Sequence, residues 1–167
     1  MKVRIFTENA YGPDFIKRLI KRLKERGAIP ADLFVNASHF LGVCRPKSGR
    51  QIGAAYYDFD SIIVIVDAHG GDANEVEASV IKHVHGDFRD KLRMVILDYE
   101  IEEWVCRGLN IRFGQNPSED LSSYLRRRKG YKGEYKKHML PEFADEVNIE
   151  RLMEYPSFKR FLKMLRE

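Results

Sequence analysis

The sequence predicts an α/β fold in which a mostly parallel sheet is flanked by helices on both faces. Residues 62–66 and 92–97 are almost continuously apolar, which is typical of strands that are covered on both faces. Segments with the pattern of strands alternate with segments that have the pattern of helices as far as residue 112. We therefore expect residues 1–112 to form an α/β domain and residues 113–167 to form a helical C-terminal extension packed on the same core.

Each predicted element follows from local pattern. The first long helix begins at Gly12-Pro13-Asp14, because proline and an acid suit the first turn of a helix, and Gly27 ends it. Other helices are predicted where apolar residues recur every three or four positions. The predicted strands cover residues 3–7, 33–35, 61–66 and 92–97, and the predicted helices cover residues 12–27, 52–57, 74–84, 101–109 and 156–167.

Composition limits the class of protein. The chain has 167 residues and a formal net charge of +4, which suits a single globular domain and permits a nucleic-acid partner without requiring one. Cys44 and Cys106 lack the spacing of a disulfide framework or a zinc site, so we expect both to be reduced and structural. No apolar run approaches the roughly 20 residues of a membrane span, and the first residues lack the apolar core of a signal peptide. We therefore expect a cytoplasmic protein.

Acidic side chains follow three of the predicted strands. Ligands of open α/β sheets bind at the carboxyl ends of the strands, where these acids should meet. Converging carboxylates raise one another's pKa unless a cation compensates them, and oxygen ligands suit Mg²⁺ or Mn²⁺. One of them has a second explanation, since an aspartate just before a helix is also a common N-cap. The acids are Glu8 after the first strand, Asp67 and the possible cap Asp72 after the central strand, and Asp98 and Glu100 after the last.

The segments IFTEN and IIVIVDAHGGD, each followed by a predicted helix, resemble the Toprim fold of topoisomerases, primases and small nucleases. That family has a three-layer, Rossmann-like fold, with a glutamate after its first strand and an Asp-x-Asp pair after a later strand. The resemblance implies that Glu8 acts in acid/base chemistry on phosphodiesters and that Asp67 helps to hold a metal ion. His69 stands where the family has its second aspartate, so that His69 or Asp72 would complete the ligand set.

The segment LDYEIEEWV is similar to a branch of compact Toprim-like proteins that have an acid near a tryptophan after the next strand. Glu100, or Glu103 beside Trp104, corresponds to that acid in this chain. The resemblance covers residues 1–110 in organisation and implies Mg²⁺ or Mn²⁺ as the cofactor. From its apolar spacing alone, Trp104 is expected in the core.

Two basic groups are candidate contacts for nucleic acid. Arg45 and Lys47 precede the central strand. The second group is interleaved with tyrosines, which stack on unpaired bases while lysine and arginine neutralise phosphates. An exposed helix connection would explain the second group equally well. It begins with Arg126, Arg127, Arg128 and Lys129 and continues to Lys132, Lys136 and Lys137, and its tyrosines are Tyr124, Tyr131 and Tyr135.

Other candidate sites have weaker support. His83 and His85 are two residues apart and do not share a helix face, so a polar helix end is favoured over a metal pair. Gly70-Gly71 lacks the fingerprints of dinucleotide and ATP sites. No Ser-His-Asp or Cys-His signature is recognisable, so covalent hydrolase chemistry has no support.

Three functions remain open from the sequence. The first is metal-dependent phosphodiester chemistry on DNA or RNA, as in a Toprim-like nuclease. The second is a non-catalytic Toprim-like module that binds nucleic acid or a protein, with His69 marking a degraded metal site. The third is a receiver-like or flavodoxin-like regulatory domain. It is disfavoured because it requires a lysine at the end of a late strand, and the predicted strands of this sequence do not end in one. The first two differ in whether Glu8, Asp67 and a further acid reach one metal ion.

Overall fold

The strands form one four-stranded sheet in the order β2-β1-β3-β4, and every pair of neighbours is parallel. The computed structural model describes residues 1–167, apart from the side chain of Lys129. This sheet, with helices on both faces, confirms the predicted α/β class. The strands are β1 (Lys2–Thr7), β2 (Phe34–His39), β3 (Ser61–Asp67) and β4 (Leu92–Leu97).

The helices connect the strands and then continue beyond β4. Short 3-10 turns lie at Gly86–Phe88 and Lys137–Met139. The α-helices are α1 (Gly12–Glu25), α2 (Pro46–Tyr56), α3 (Ala73–Ile81), α4 (Glu102–Gly108), α5 (Pro117–Lys129), α6 (Leu140–Glu146), α7 (Ile149–Glu154) and α8 (Pro156–Arg166).

The two faces of the sheet bury two different apolar clusters. Ile63 and Ile65 of β3 pack with α1 and with the helices from α4 to α8. Ile62, Val64 and Val66 point to the other face and pack with α2 and α3. Successive side chains of a strand alternate between faces, so a strand covered on both sides must be apolar at every position. The uninterrupted run in β3 is therefore the direct cause of the three-layer arrangement.

The C-terminal extension shares the larger of these clusters with the sheet. Trp104 of α4 is fully buried, as its spacing predicts. Its ring centroid lies 4.9 Å from that of Phe158 and 5.4 Å from that of Phe161, both in α8. Trp104 Nε1 donates a hydrogen bond of 2.8 Å to Ser157 Oγ, which satisfies the buried indole donor. Helices after residue 113 are thus packed against the α/β layer through aromatic contacts.

Helix α2 begins at Pro46, six residues before the helix that the sequence predicts over residues 52–57. The N-terminal half of α2 has no apolar spacing, but proline at the first position fixes a helical φ. Ser48 is buried and donates from Oγ to a backbone carbonyl, and a Cβ at Gly49 would collide with the His83 carbonyl oxygen at 1.9 Å. Pro46 is thus a local signal for this helix start that apolar spacing does not use, and the contact of Gly49 with His83 comes from a segment distant in the sequence.

Both cysteines are free in the described chain, as the sequence predicts. Cys106 is buried, and burial raises the pKa of its thiol, so it behaves as a packed apolar side chain. Across the described residues, no helix combines the length and the apolar character needed to cross a membrane.

Candidate metal centre

Strands β1 and β3 are neighbours, and their carboxyl ends bring two acids together. Thr7 of β1 pairs with Ile65 of β3, so Glu8 and Asp67 leave the sheet side by side. Glu8 N donates to Ile65 O at 3.2 Å, and Asp67 N donates to Glu8 Oε2 at 2.9 Å. The second bond holds the Glu8 carboxylate at the end of β3, where the Asp67 side chain also begins.

The loop after β3 turns back and adds His69 to these acids. His69 has a φ of +48°, in the left-handed region that non-glycine residues rarely adopt, and Gly70 follows with a φ of +80°. The loop is fixed by backbone hydrogen bonds from His69 N to Tyr99 O at 3.1 Å and from Gly70 N to Asp98 O at 2.7 Å. One ligand atom each from Glu8, Asp67 and His69 then lie within 4.8 Å of one another.

The electrostatics of this triad favour a cation. Burial, the Glu8 carboxylate and the Glu102 carboxylate together raise the pKa of Asp67 from 3.8 to about 8, while Lys137 opposes the rise. A divalent ion would reverse this effect, because it stabilises the ionised forms of both acids. Two oxygens and an imidazole nitrogen form a donor set that suits Mn²⁺ or another transition metal better than Mg²⁺. The residues present therefore fit a metal ion, and the exposed His69 leaves one side open.

A second polar group lies beside the triad and is contributed partly by the C-terminal extension. Lys137 Nζ lies 2.9 Å from Glu100 Oε2 and 3.2 Å from Glu102 Oε1. The Tyr135 hydroxyl donates to Glu102 Oε1 at 2.8 Å, and Asn9 Nδ2 donates to the same oxygen at 3.4 Å. Glu102 is fully buried, and its Oε2 has no hydrogen-bond partner among the described residues.

These contacts set the charges of the second group. Burial raises the pKa of Glu102, and Lys137 opposes the rise. Burial also acts on Glu100, but hydrogen bonds from Ser118 and Lys137 outweigh it and lower the pKa of Glu100. The Lys137 ammonium loses some solvation, yet the Glu102 and Glu100 carboxylates raise its pKa. A permanent positive charge therefore stands next to the acids.

Among the acids that the sequence singles out, only Glu8 and Asp67 join His69 in the triad. Asp72 accepts a hydrogen bond from Glu75 N at 3.0 Å and is the N-cap of α3. Glu103 is fully buried, and its Oε2 accepts a hydrogen bond from Tyr99 N at 3.0 Å. Burial raises the pKa of Glu103 to about 7. The side chains of Asp72 and Glu103 thus hold the backbone of nearby segments. Glu100 belongs to the second polar group, with Lys137.

The basic residues that the sequence singles out occupy several places. Arg45 and Lys47 are exposed at the start of α2. The adjoining Cys44 contacts Ser79, near the C-terminal end of α3, and His83, just beyond that end. The start of α2 therefore packs near the C-terminal end of α3. Arg126, in α5, lines a recess of about 330 Å³ together with Tyr135 and Ser118.

Other arginines of α5 line a different cavity. Its volume is about 610 Å³, and its described lining contains no acidic residue. The half-buried Tyr124 also lines it. The predicted contact at Lys129 lies outside the described side chains. The arginines that line this cavity are Arg112, Arg127, Arg128 and Arg151.

The sequence does not identify several residues of the centre. Glu102 lies between Glu100 and Glu103 in the chain, but the local sequence does not show which of these acids is fully buried. The sequence suggests Tyr135 and Lys137 as contacts for nucleic acid, not as partners of an acid. They lie 33 and 35 residues from Glu102 in the chain, and their contact with it depends on how the extension folds back. His39, at the end of β2, contacts the Glu8 carbonyl oxygen through Nε2 at 2.9 Å. The sequence predicts this strand only over residues 33–35, so it does not show that His39 stands at a strand end.

Comparison with family models, curated proteins and solved structures found no match to this chain. The resemblance to Toprim proteins thus stays a prediction from short motifs. The fold and the site define an α/β protein with a candidate metal centre at the carboxyl edge of a parallel sheet.

Proposed function

We propose that this chain is a Mg²⁺- or Mn²⁺-dependent phosphodiesterase that acts on nucleic acid, in the manner of a Toprim-like nuclease. The observation that carries the proposal is the convergence of Glu8, Asp67 and His69, whose ligand atoms lie within 4.8 Å of one another at the ends of β1 and β3. This is the edge at which open α/β sheets bind their ligands. The strained backbone of His69 is a second supporting feature, because such conformations cluster at functional sites.

Each residue of the triad has a role in this proposal. A divalent ion in such a site polarises a phosphate oxygen and lowers the pKa of an attacking water. Asp67 and His69 would hold that ion together with Glu8, whose carboxylate would also accept or return a proton. The bond from Asp67 N keeps the Glu8 carboxylate in position for this role. Lys137 adds positive charge beside the acids, which reduces their repulsion of a phosphate.

Nucleic acid is the substrate class that we propose, on the basis of charge. The chain has a net charge of +4, and the side chains of Arg45, Lys47 and Arg126 are exposed. Contacts of this kind neutralise phosphates without reading sequence. The cytoplasm is the location that we propose, since the described chain has free cysteines and no helix that could cross a membrane.

The test is cleavage of plasmid DNA and of single-stranded DNA and RNA with Mg²⁺ or Mn²⁺. We expect cutting that requires the metal and is lost in Glu8→Gln and in Asp67→Asn. Asp72→Asn is the matched control, because it changes a nearby acid that caps α3, and it should cut like the wild type. His69→Asp should increase the ratio of Mg²⁺-dependent to Mn²⁺-dependent activity, since a carboxylate suits Mg²⁺ better than imidazole does. Cutting that survives both Glu8→Gln and Asp67→Asn would refute the assignment of the site.

A non-catalytic module that binds nucleic acid is the second candidate. It is favoured by the arginine-lined cavity of about 610 Å³, whose described lining includes no residue of the triad. The same assay separates the two candidates. Salt-sensitive binding of oligonucleotides without cutting by either metal, retained in Glu8→Gln and Asp67→Asn, would favour the binding module.

A further inference from the structure

Beside the triad, one lysine joins two acids that the fold has removed from water. Lys137 lies in the 3-10 turn of the C-terminal extension and contacts Glu100 Oε2 at 2.9 Å and Glu102 Oε1 at 3.2 Å. The Glu102 side chain is 0% exposed and the Glu100 side chain is 12% exposed. A buried carboxylate requires a compensating charge or a proton. Lys137 is the cation that supplies this charge.

The geometry of Lys137 differs from that of an ordinary surface lysine. Its neighbour Lys136 lies 3.7 Å from Glu134 in a pair whose members are both well exposed, and such pairs contribute little. Lys137 instead bridges two carboxylates, as a metal ion would. It also keeps half of its side chain accessible, so its head lies at the boundary between the buried acids and solvent.

The position of Lys137 is continuous with the proposed metal centre. Asn9 follows Glu8 in the chain and donates to Glu102 Oε1, the oxygen that Lys137 also contacts. The Glu102 carboxylate raises the pKa of Asp67, and the Lys137 ammonium lowers it. The second oxygen of Glu102 is buried and has no partner among the described residues, so this carboxylate retains an unused acceptor. A buried acceptor without a donor can take a further cation or a proton.

We propose that Lys137 fills a second cation position between Glu100 and Glu102, and that the wild-type chain therefore takes one divalent ion, at Glu8, Asp67 and His69. The inference rests on the proposed function in that it assigns the metal content of the same centre. In a site with two divalent ions, the ions lie about 3.5–4 Å apart. Here the chain's own ammonium takes the second place, and no second ion enters while Lys137 is present.

The test is the number of Mn²⁺ ions that bind per chain, measured by titration calorimetry and by the loss of the free Mn²⁺ signal in electron paramagnetic resonance. Wild type should bind one ion. Lys137→Met should bind two, because Glu100 and Glu102 lose their cation, and Lys137→Gln is the second neutral variant if the first does not fold. Lys137→Arg keeps the charge and should bind one, as should the control Lys136→Met.

The second ion is assigned by adding Glu100→Gln to Lys137→Met, which should return the count to one. An unchanged count of one in both neutral variants would overturn the inference, as would a count of two in wild type. Failure of the proposed function gives a different result, since wild type would then bind no ion. In that case a single ion gained by Lys137→Met and lost with Glu100→Gln would still establish the position that Lys137 fills.

Discussion

Replacing Asp67 by asparagine should stabilise the metal-free protein at neutral and alkaline pH. The pKa of Asp67 is about 8 in the folded chain, against 3.8 for an ordinary aspartate, because of burial and of the Glu8 and Glu102 carboxylates. The folded chain thus binds this proton more tightly than the unfolded chain does. The free energy of unfolding must therefore fall as the pH rises from about 4 to about 8.

The size of the effect follows from the two pKa values. Each pKa unit corresponds to about 1.4 kcal/mol, so Asp67 costs the folded state up to about 4 kcal/mol at pH 7 and about 5 to 6 kcal/mol above pH 8. Asparagine has nearly the same shape and carries no charge. It should recover most of this energy at pH 8. It should recover little at pH 4, because the folded carboxyl is then protonated and the unfolded one, with a pKa of 3.8, is only partly ionised.

The assay is urea unfolding in the presence of a chelator at pH 5, 6, 7 and 8. The difference in unfolding free energy between Asp67→Asn and wild type should grow steadily across this range. Glu103, whose pKa burial raises to about 7, contributes a fall with pH in both proteins and cancels in the difference. Asp32→Asn is the control, because it makes the same change of side chain at an exposed position.

A difference that is independent of pH, or an Asp67→Asn protein that is less stable at pH 8, would refute this account of the centre. Added Mn²⁺ gives an internal check. It should stabilise wild type most at pH 8, where Asp67 loses its proton most easily, and should stabilise Asp67→Asn much less.

Three further predictions address neighbouring groups. Asp72→Ala should cost about 1 kcal/mol in urea unfolding through loss of the N-cap of α3, and Mn²⁺ affinity should stay that of wild type; a loss of affinity would instead make Asp72 a ligand. Tyr135→Phe should lower the unfolding free energy by about 1–3 kcal/mol, because buried Glu102 loses a donor, and an unchanged stability would contradict this. The double variant Arg112→Gln with Arg151→Gln should weaken oligonucleotide binding and reduce the slope of log affinity against log salt by about 1 to 2, with Mn²⁺ binding unchanged; an unchanged slope would exclude the cavity as a phosphate contact.

The sheet and most of its helices were predictable because their signals are local. The apolar run of β3 and the periodic spacing in α1 each report how a single element is buried. The start of α2 was not predictable in this way. Its first residues are polar or small, so apolar spacing does not show it, although Pro46 at the first position is a local signal for a helix start.

The candidate metal centre was also predictable only in part. Placing Glu8 and Asp67 at strand ends required only the positions of two strands, but their contact required β1 and β3 to be neighbours in the sheet. The role of Asp72, by contrast, depends only on its neighbours in the chain. Its local role as an N-cap, an alternative that the sequence left open, is the role that it has in the fold.

The sequence alone determined the α/β class, the strand ends that carry acids and the covered faces of the sheet, because each depends on residues close together in the chain. Tertiary structure alone decided that His69 turns back to Glu8 and Asp67, through hydrogen bonds to the loop after β4. It also decided that Lys137, 35 residues beyond Glu102, reaches that buried acid. Such contacts arise from the packing of the extension on the shared core, and packing between distant segments leaves no periodic trace in a sequence.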